Sequence, residues 1–403
     1  MALQENIRKR GRFITVLATF LAFMGIGVVD PILPVIAKQI GASHWQVEML
    51  FTAYIFTMAI MMIPASLLAG KFGDKNMIKF GLAVVTIFAI LCGFSGTVAE
   101  LSFFRAGWGF GNAMFFATAM TLLITLSKEI SSAVGLYEAA IGLGMAGGPL
   151  LGGLIGEISW RYPFFATGGL IFIALLLVIF FVQEPEKQEK RKAPGVKEMG
   201  RLLKYKPFSQ GAIAGMLYYY GFFTVLAYSP LVINLTAIHL GFIFFGWGIC
   251  LAYGSAVLSH QLERKWHPIT LIKFGLAAFV ILLALLLFVD IIWLEIVLII
   301  LSGLVSGLNN ALFTSYVMDI SPYARNVTSG VYNFVRWFGA ALAPLLSGIV
   351  GESLSAHAPF GVSAAVVLVG LLLMLIPVSK QVKTHENDTE TTILSREIVR
   401  AHK

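Results

Sequence analysis

Charge is scarce in this chain. Lys, Arg, Asp and Glu make up 12% of its 403 residues and hydrophobic side chains 58%, too little polar surface to cover a water-soluble globule of that length. Cysteine is nearly absent. Cys92 and Cys250 both fall inside apolar runs, which excludes a disulfide framework and makes them small hydrophobes. None of the seven histidines lies deep in an apolar run. There is no metal-ligand cluster, nucleophile elbow or phosphate loop, so nothing points to a metal, a cofactor or a membrane enzyme. No soluble domain is attached that would suit a sensor. What remains is an all-α polytopic membrane protein, since only self-satisfied backbone crosses a bilayer.

The apolar runs predict twelve spans: 13–36, 45–69, 78–98, 100–126, 133–156, 161–182, 209–233, 239–258, 272–289, 292–318, 327–350 and 360–378. The first is too long for a signal-peptide core and lacks a small-residue cleavage site, so it reads as a retained span. Residues 183–208 are dense in Glu, Lys and Arg and read as a cytoplasmic linker, with an amphipathic stretch at 196–205 suited to the membrane surface. The expected organisation is a six-helix bundle over 1–182, this linker, a second six-helix bundle over 209–380, and a polar cytoplasmic tail over 381–403. If the N-terminus is cytoplasmic, 25 of the 29 Lys and Arg lie on that side, with Lys38 and Arg161 outside and Arg105 and Arg336 within spans. The positive-inside rule then puts both termini in the cytoplasm and accounts for the net charge of +8 without a nucleic-acid partner.

The chain is duplicated. Pro149-Leu-Leu-Gly-Gly153-Leu-Ile-Gly156-Glu157 returns as Pro344-Leu-Leu-Ser-Gly348-Ile-Val-Gly351-Glu352, and Ile78-Lys-Phe-Gly-Leu-Ala83 returns as Ile272-Lys-Phe-Gly-Leu-Ala277. Two echoes at nearly one offset, about half the chain, predict two pseudo-symmetric six-helix bundles. Gly144, Gly148, Gly152 and Gly153 also form a seam of small residues on the fifth span, where another backbone can approach closely. Pro149 removes one backbone donor there and is expected to bend the helix.

These motifs resemble the major facilitator superfamily, and within it the twelve-span drug:proton antiporter branch of bacterial multidrug efflux proteins. Gly148-Pro149-Leu-Leu-Gly152-Gly153 matches that branch's fifth-span signature, and Leu101-x-x-x-Arg105-x-x-x-Gly109-x-Gly111-x-Ala113 its fourth-span motif, with Trp108 where a glutamine is usual. Asp30-Pro31-Ile-Leu-Pro34 resembles the first-span motif. The loop signature between the second and third spans keeps Gly70, Asp74, Lys75 and Lys79, but Met77 and Ile78 replace a glycine and a basic residue. The resemblance implies alternating access driven by protons, with Gly70, Asp74 and Lys75, the fifth-span Gly144, Gly148, Pro149, Gly152 and Gly153, and Pro344 as gating or structural elements.

Charge inside the membrane is where coupling should sit, because it persists only with a partner or a task. Asp30 and Arg105 fall in one outer layer by helix rise, about 26 Å and about 9 Å from their entry points. That pair either couples protons to cargo or comprises a kink residue beside Pro31 and a structural arginine. Glu138, about a turn and a half into the fifth span, is a second proton site, a counter-ion for cationic drugs, or a partly solvated residue near the helix N-terminus, where the dipole favours an acid. Glu48, at the start of the second span near the outer surface, is a proton site or an ordinary first-turn acid. Aligning the halves sets Ser229 opposite Asp30 and Asn333 opposite Glu138, so acids concentrate in the first half. Arg336 falls near the midplane and suits an anionic cargo, or packs its stem on Trp337. Trp108, Asn112, Tyr137, Tyr219, Tyr332 and Asn333 are candidate substrate contacts, since flat rings hold lipophilic solutes without demanding one geometry.

The function expected is export of lipophilic small molecules, drugs or a secreted metabolite, in exchange for protons, with no catalytic residue. An exporter of one anionic metabolite, or an importer or uniporter, is the alternative. The expected setting is the plasma membrane, with membrane lipid, protons and a small-molecule substrate as partners and a monomer as the working unit.

Overall fold

The computed structural model describes residues 2–127, 130–183, 196–323 and 325–377. The expected tail at 381–403 and residues 184–195 of the expected linker lie outside the described residues. Among the described residues twelve helical segments are long and apolar enough to cross a membrane, and no strand is present. Large apolar side chains such as Phe80, Phe103, Phe180 and Phe274 stand exposed on the outer surface, as spans in lipid require.

The first span is broken. Its helix Ala2–Gly27 gives way to a 3₁₀ turn at Asp30–Ile32, then resumes over Leu33–Ile40. The seventh breaks at the corresponding place: Lys206–Phe223 passes through a π segment, Thr224–Tyr228, into Ser229–Val232. Asp30-Pro31 and Ser229-Pro230 mark the two breaks, because each proline lacks the N–H that would continue an α-helical ladder. The other spans of the first half are His44–Phe72, Asp74–Phe94, Val98–Leu126, Ile130–Gly156 and Tyr162–Phe181. The second half continues with the eighth span, Ala237–Tyr253 running on through a π segment to Ser259–Glu263, then Pro268–Phe288, Ile292–Ile320, Arg325–Ser353 and Ala358–Leu375. The fifth and eleventh helices run unbroken through Pro149 and Pro344, so neither proline ends its helix.

Two ends of the chain's local geometry are set by specific groups. Gly73, at φ 82°, is the whole turn between the second and third spans, and a left-handed backbone of this kind favours glycine. Arg161 donates to the carbonyls of Gly93 at 2.9 Å and Ser95 at 2.5 Å and lies over Trp160, placing a cation at the C-terminal end of the third span. A helix, Val196–Lys204, forms in the expected amphipathic stretch. It turns Met199 and Leu202 inward, both buried, and packs against the seventh and eleventh spans, while Leu203 stays exposed.

The halves meet along two helix pairs, the second with the eleventh span and the fifth with the eighth. On the first pair Thr52 donates to the Ala341 carbonyl at 3.0 Å and Phe56 lies against Phe338. On the second, Gly241 faces the Pro149 carbonyl and Gly248 faces Ala146.

Candidate transport site

The glycine seam of the fifth span presses against the break in the first. A Cβ at Gly144 would lie 2.5 Å from the Phe20 carbonyl oxygen, Gly148 faces the Met24 carbonyl, and Gly152 faces the Val28 carbonyl with Pro31 beside it. From the other side Gly27 has room for no Cβ, since one would sit 2.9 Å from Pro149 Cδ and 3.4 Å from Asp30 Oδ2. Backbone-to-backbone contact through four glycines therefore holds Asp30 in place. The other face of the same helix meets the eighth span at Gly142, Ala146 and Gly153. One stripe of small residues thus serves both the first-half bundle and the boundary between halves.

Asp30, Glu48 and Arg105 come together from the first, second and fourth spans, all fully buried. Asp30 is within electrostatic reach of both Arg105 and Glu48, yet no ion-pair contact joins them. Neither carboxyl group has a hydrogen-bond partner. Arg105 turns instead to ring faces: its guanidinium carbon lies 4.4 Å from the Tyr54 centroid, 4.9 Å from Trp108 and 5.8 Å from Phe51. Its one hydrogen bond, from Nη1 to the Gly25 carbonyl, is long at 3.5 Å. Cation–π contacts give back about 2 kcal/mol when desolvated, whereas burying each ion costs several. The contacts within the cluster therefore do not offset the cost of burying its charges.

Glu48 is not the ordinary first-turn acid of the alternative reading. It sits in the second turn of its helix, and Glu48, Phe51, Tyr54, Ile55, Met58 and Met62 form one buried face. Trp108 and Asn112 are inside the same cluster. Gly25 leaves the space for the indole, since a Cβ there would lie 2.7 Å from Trp108 Cζ2, and Asn112 Nδ2 donates to the Tyr54 hydroxyl at 2.5 Å. Gly109 lets the fourth span close onto the Tyr54 carbonyl, and Gly111 onto that of Gly81. Sequence reasoning missed Tyr54 and Phe51; the steps of three residues from Glu48 to Phe51 and from Phe51 to Tyr54 were the available signal. Tyr137 packs edge-on to Phe23. Glu138 is on the fifth helix, but its side chain lies outside the described residues.

A second aromatic cluster forms in the other half. The Arg336 guanidinium lies 5.1 Å from Tyr219, 5.2 Å from Tyr332 and 5.8 Å from Trp337, with Nη1 3.5 Å from the Thr314 hydroxyl. Arg336 is only half-buried, whereas Arg105 is wholly buried. Asn333, which aligns with Glu138, bonds Ser329 on its own helix. Glu295, a buried acid of the second half that sequence reasoning missed, meets His357 at 2.7 Å at the end of the bundle that holds Arg161. In the short loop Asp74 is buried at the first turn of the third span, Lys75 is half-buried and Gly70 exposed.

Known proteins resemble this chain in sequence and in fold. A model of the Major Facilitator Superfamily matches residues 15–344. The multidrug efflux protein YfmO of Bacillus subtilis is 40% identical over 363 residues, covering 89% of this chain and 91% of that protein. The quinolone resistance protein NorA of Staphylococcus aureus is 24% identical, covering 93% and 98%. A bacterial homologue of the human lysosomal transporter Spinster, in an inward-facing and unoccupied conformation, superposes with a TM-score of 0.73 at 14% identity, covering 92% of this chain and 95% of that one. Twelve apolar helices in two like halves, a glycine seam seated on a broken first span and a family match across most of the chain lead to one statement: this multi-pass membrane protein belongs to the major facilitator superfamily and is a transporter, not an enzyme.

Proposed function

We propose that the protein exports lipophilic small molecules in exchange for protons, by alternating access of the two six-helix halves. One observation carries the proton part: two fully buried carboxyl groups without hydrogen-bond partners beside a buried guanidinium that engages rings instead. A carboxyl in that setting exchanges between carrying a proton and facing Arg105, and a ligand biases a two-state equilibrium only through unequal affinity for the two states. Asp30 and Glu48 take the proton, Arg105 is their counter-charge, and Glu138 is the second-line acid. The export part rests on the relatives, one named for multidrug efflux and one for quinolone resistance. Both termini are assigned to the cytoplasmic side of the plasma membrane, and the monomer is the working unit.

The test is extrusion of a fluorescent lipophilic cation by energised cells, with and without a proton uncoupler. Wild type should extrude it only when energised. Asp30→Asn and Glu48→Gln should each lower proton-coupled efflux on the order of tenfold. Efflux that ignores the uncoupler, or wild-type efflux by Asp30→Asn, refutes the coupling. The half-buried Arg336 over its three rings favours a second reading, an acidic cargo. Arg336→Ala that keeps cation efflux removes Arg336 from the cargo path, and a wild type that moves no cation shifts the cargo to an anion.

A further inference from the structure

The duplicated motif ends in an acid in both copies, and the two acids perform the same act on opposite halves. Glu157 Oε2 accepts from the backbone N–H of Ile238, at 3.3 Å. Glu352 Oε1 accepts from the backbone N–H of Trp45, at 3.2 Å. Ile238 is the second residue of the eighth span after its N-cap Thr236, and Trp45 the second residue of the second span after its N-cap Ser43. Each acid thus reaches across the boundary between halves and fills the same orphan N–H of a helix first turn, where the helix dipole favours negative charge.

The glycine four residues earlier prepares each contact. A Cβ at Gly153 would lie 2.6 Å from the Ala237 carbonyl oxygen, and one at Gly348 would lie 2.6 Å from Trp45 Cα. Proline, glycine and acid recur four residues apart in both copies, so glycine and acid share one helix face. The glycine lets the opposing helix start come close enough for the acid to reach it. Both contacts lie at the end of the bundle away from the N-terminus, the end that also carries Arg161.

We propose that Glu157 and Glu352 are a pair of latches related by the internal repeat, which hold the outer end of the two halves shut and must both release before that end opens. They are positioning residues for the transport cycle. Naming that end as outer rests on the orientation proposed above.

A thiol reporter tests the latches and the orientation separately. With Cys92 and Cys250 replaced by alanine, Thr52→Cys puts a near-isosteric thiol in the seam between the second and eleventh spans. A membrane-impermeant maleimide is applied to intact cells and to inside-out vesicles. Glu157→Ala and Glu352→Ala should each speed labelling of that thiol from one face by about fivefold, the factor for losing a helix cap of ordinary strength. Glu157→Gln and Glu352→Gln keep an accepting oxygen and should fall between. A one-sided rise from the cytoplasmic face would uphold the latches and reverse the orientation. Wild-type labelling in either alanine variant overturns the paired latch. So does an equal rise from both faces, which marks a loosened bundle.

Discussion

Gly144→Ala is a sharp probe of the seam that seats the first span, because a matched control stands three residues away. An alanine Cβ at Gly144 would lie 2.5 Å from the Phe20 carbonyl oxygen, 2.8 Å from Phe23 Cβ and 3.0 Å from the Met24 nitrogen. None of these is the far end of a flexible side chain, so the two helices must part by about 0.9 Å to restore ordinary contact. At Gly147 the same methyl would meet only the Phe20 ring, at 3.4 and 3.5 Å. Replacing glycine by alanine inside a helix gains about 0.5–1 kcal/mol from the unfolded chain. At Gly147 that gain stands. At Gly144 overpacking of about 1–3 kcal/mol exceeds it, so the two substitutions should differ in sign. Thermal unfolding of the purified protein in detergent reads the sign: Gly147→Ala unfolds at or above the wild-type temperature, Gly144→Ala below it. Equal midpoints for the two variants would show that the first and fifth spans are not in backbone contact, and the seat of Asp30 with them.

Two further substitutions address the buried cluster. Tyr54→Phe keeps the ring under Arg105 but leaves Asn112 without its acceptor, a loss of about 1–3 kcal/mol for an unsatisfied buried donor; a lowered unfolding midpoint together with retained cation efflux is expected, and an unchanged midpoint would remove the Asn112 bond from the stability of the bundle. Arg105→Lys preserves charge and discards the planar face that lies over Tyr54 and Trp108, so proton-coupled efflux should fall although the charge remains; wild-type efflux would show that only the charge matters.

Depth was legible in the sequence and direction was not. A helix advances a fixed rise per residue, so counting from the ends put Asp30 and Arg105 in one layer, and the two are indeed within electrostatic reach. Counting could not say which way Glu48 points. In water an amphipathic stripe marks the buried face of a helix, but in lipid both faces are apolar, and Glu48 so near its helix start could face solvent or interior equally well. Tyr54 and Phe51 were hidden for the same reason, as two aromatics among many. The pairing of Glu295 with His357 joins the tenth span to the turn before the twelfth, residues 62 apart, and no local pattern announces such a contact. The cross-boundary role of Glu157 and Glu352 was half visible: the repeat displayed the letters, while their partners at Ile238 and Trp45 lie on helices that only the fold brings near.

The scaffold is symmetric and the charge is not, and this contrast bears on mechanism. Breaks in the first and seventh spans, the Pro149 and Pro344 helices and the two acid-capped helix starts occur in both halves. In the proposed alternating access, equivalent hinges and equivalent contacts would let one half tilt against the other with like packing on both sides, keeping the energy difference between inward and outward states small. A small difference is what a single proton can reverse, since its leverage is bounded by its unequal affinity for the two states. The buried carboxyl pair belongs to one half alone, Asp30 having Ser229 as its counterpart at the matching break. Were both halves acidic, protonation of each would bias the same equilibrium and cargo release would wait on the slower of the two. Under the proposed coupling the Asp30–Glu48 site sets the bias, while the buried acid of the second half, Glu295, is engaged by His357 at the end of the bundle, which leaves the rings of Tyr219, Tyr332 and Trp337 around Arg336 as the proposed cargo surface.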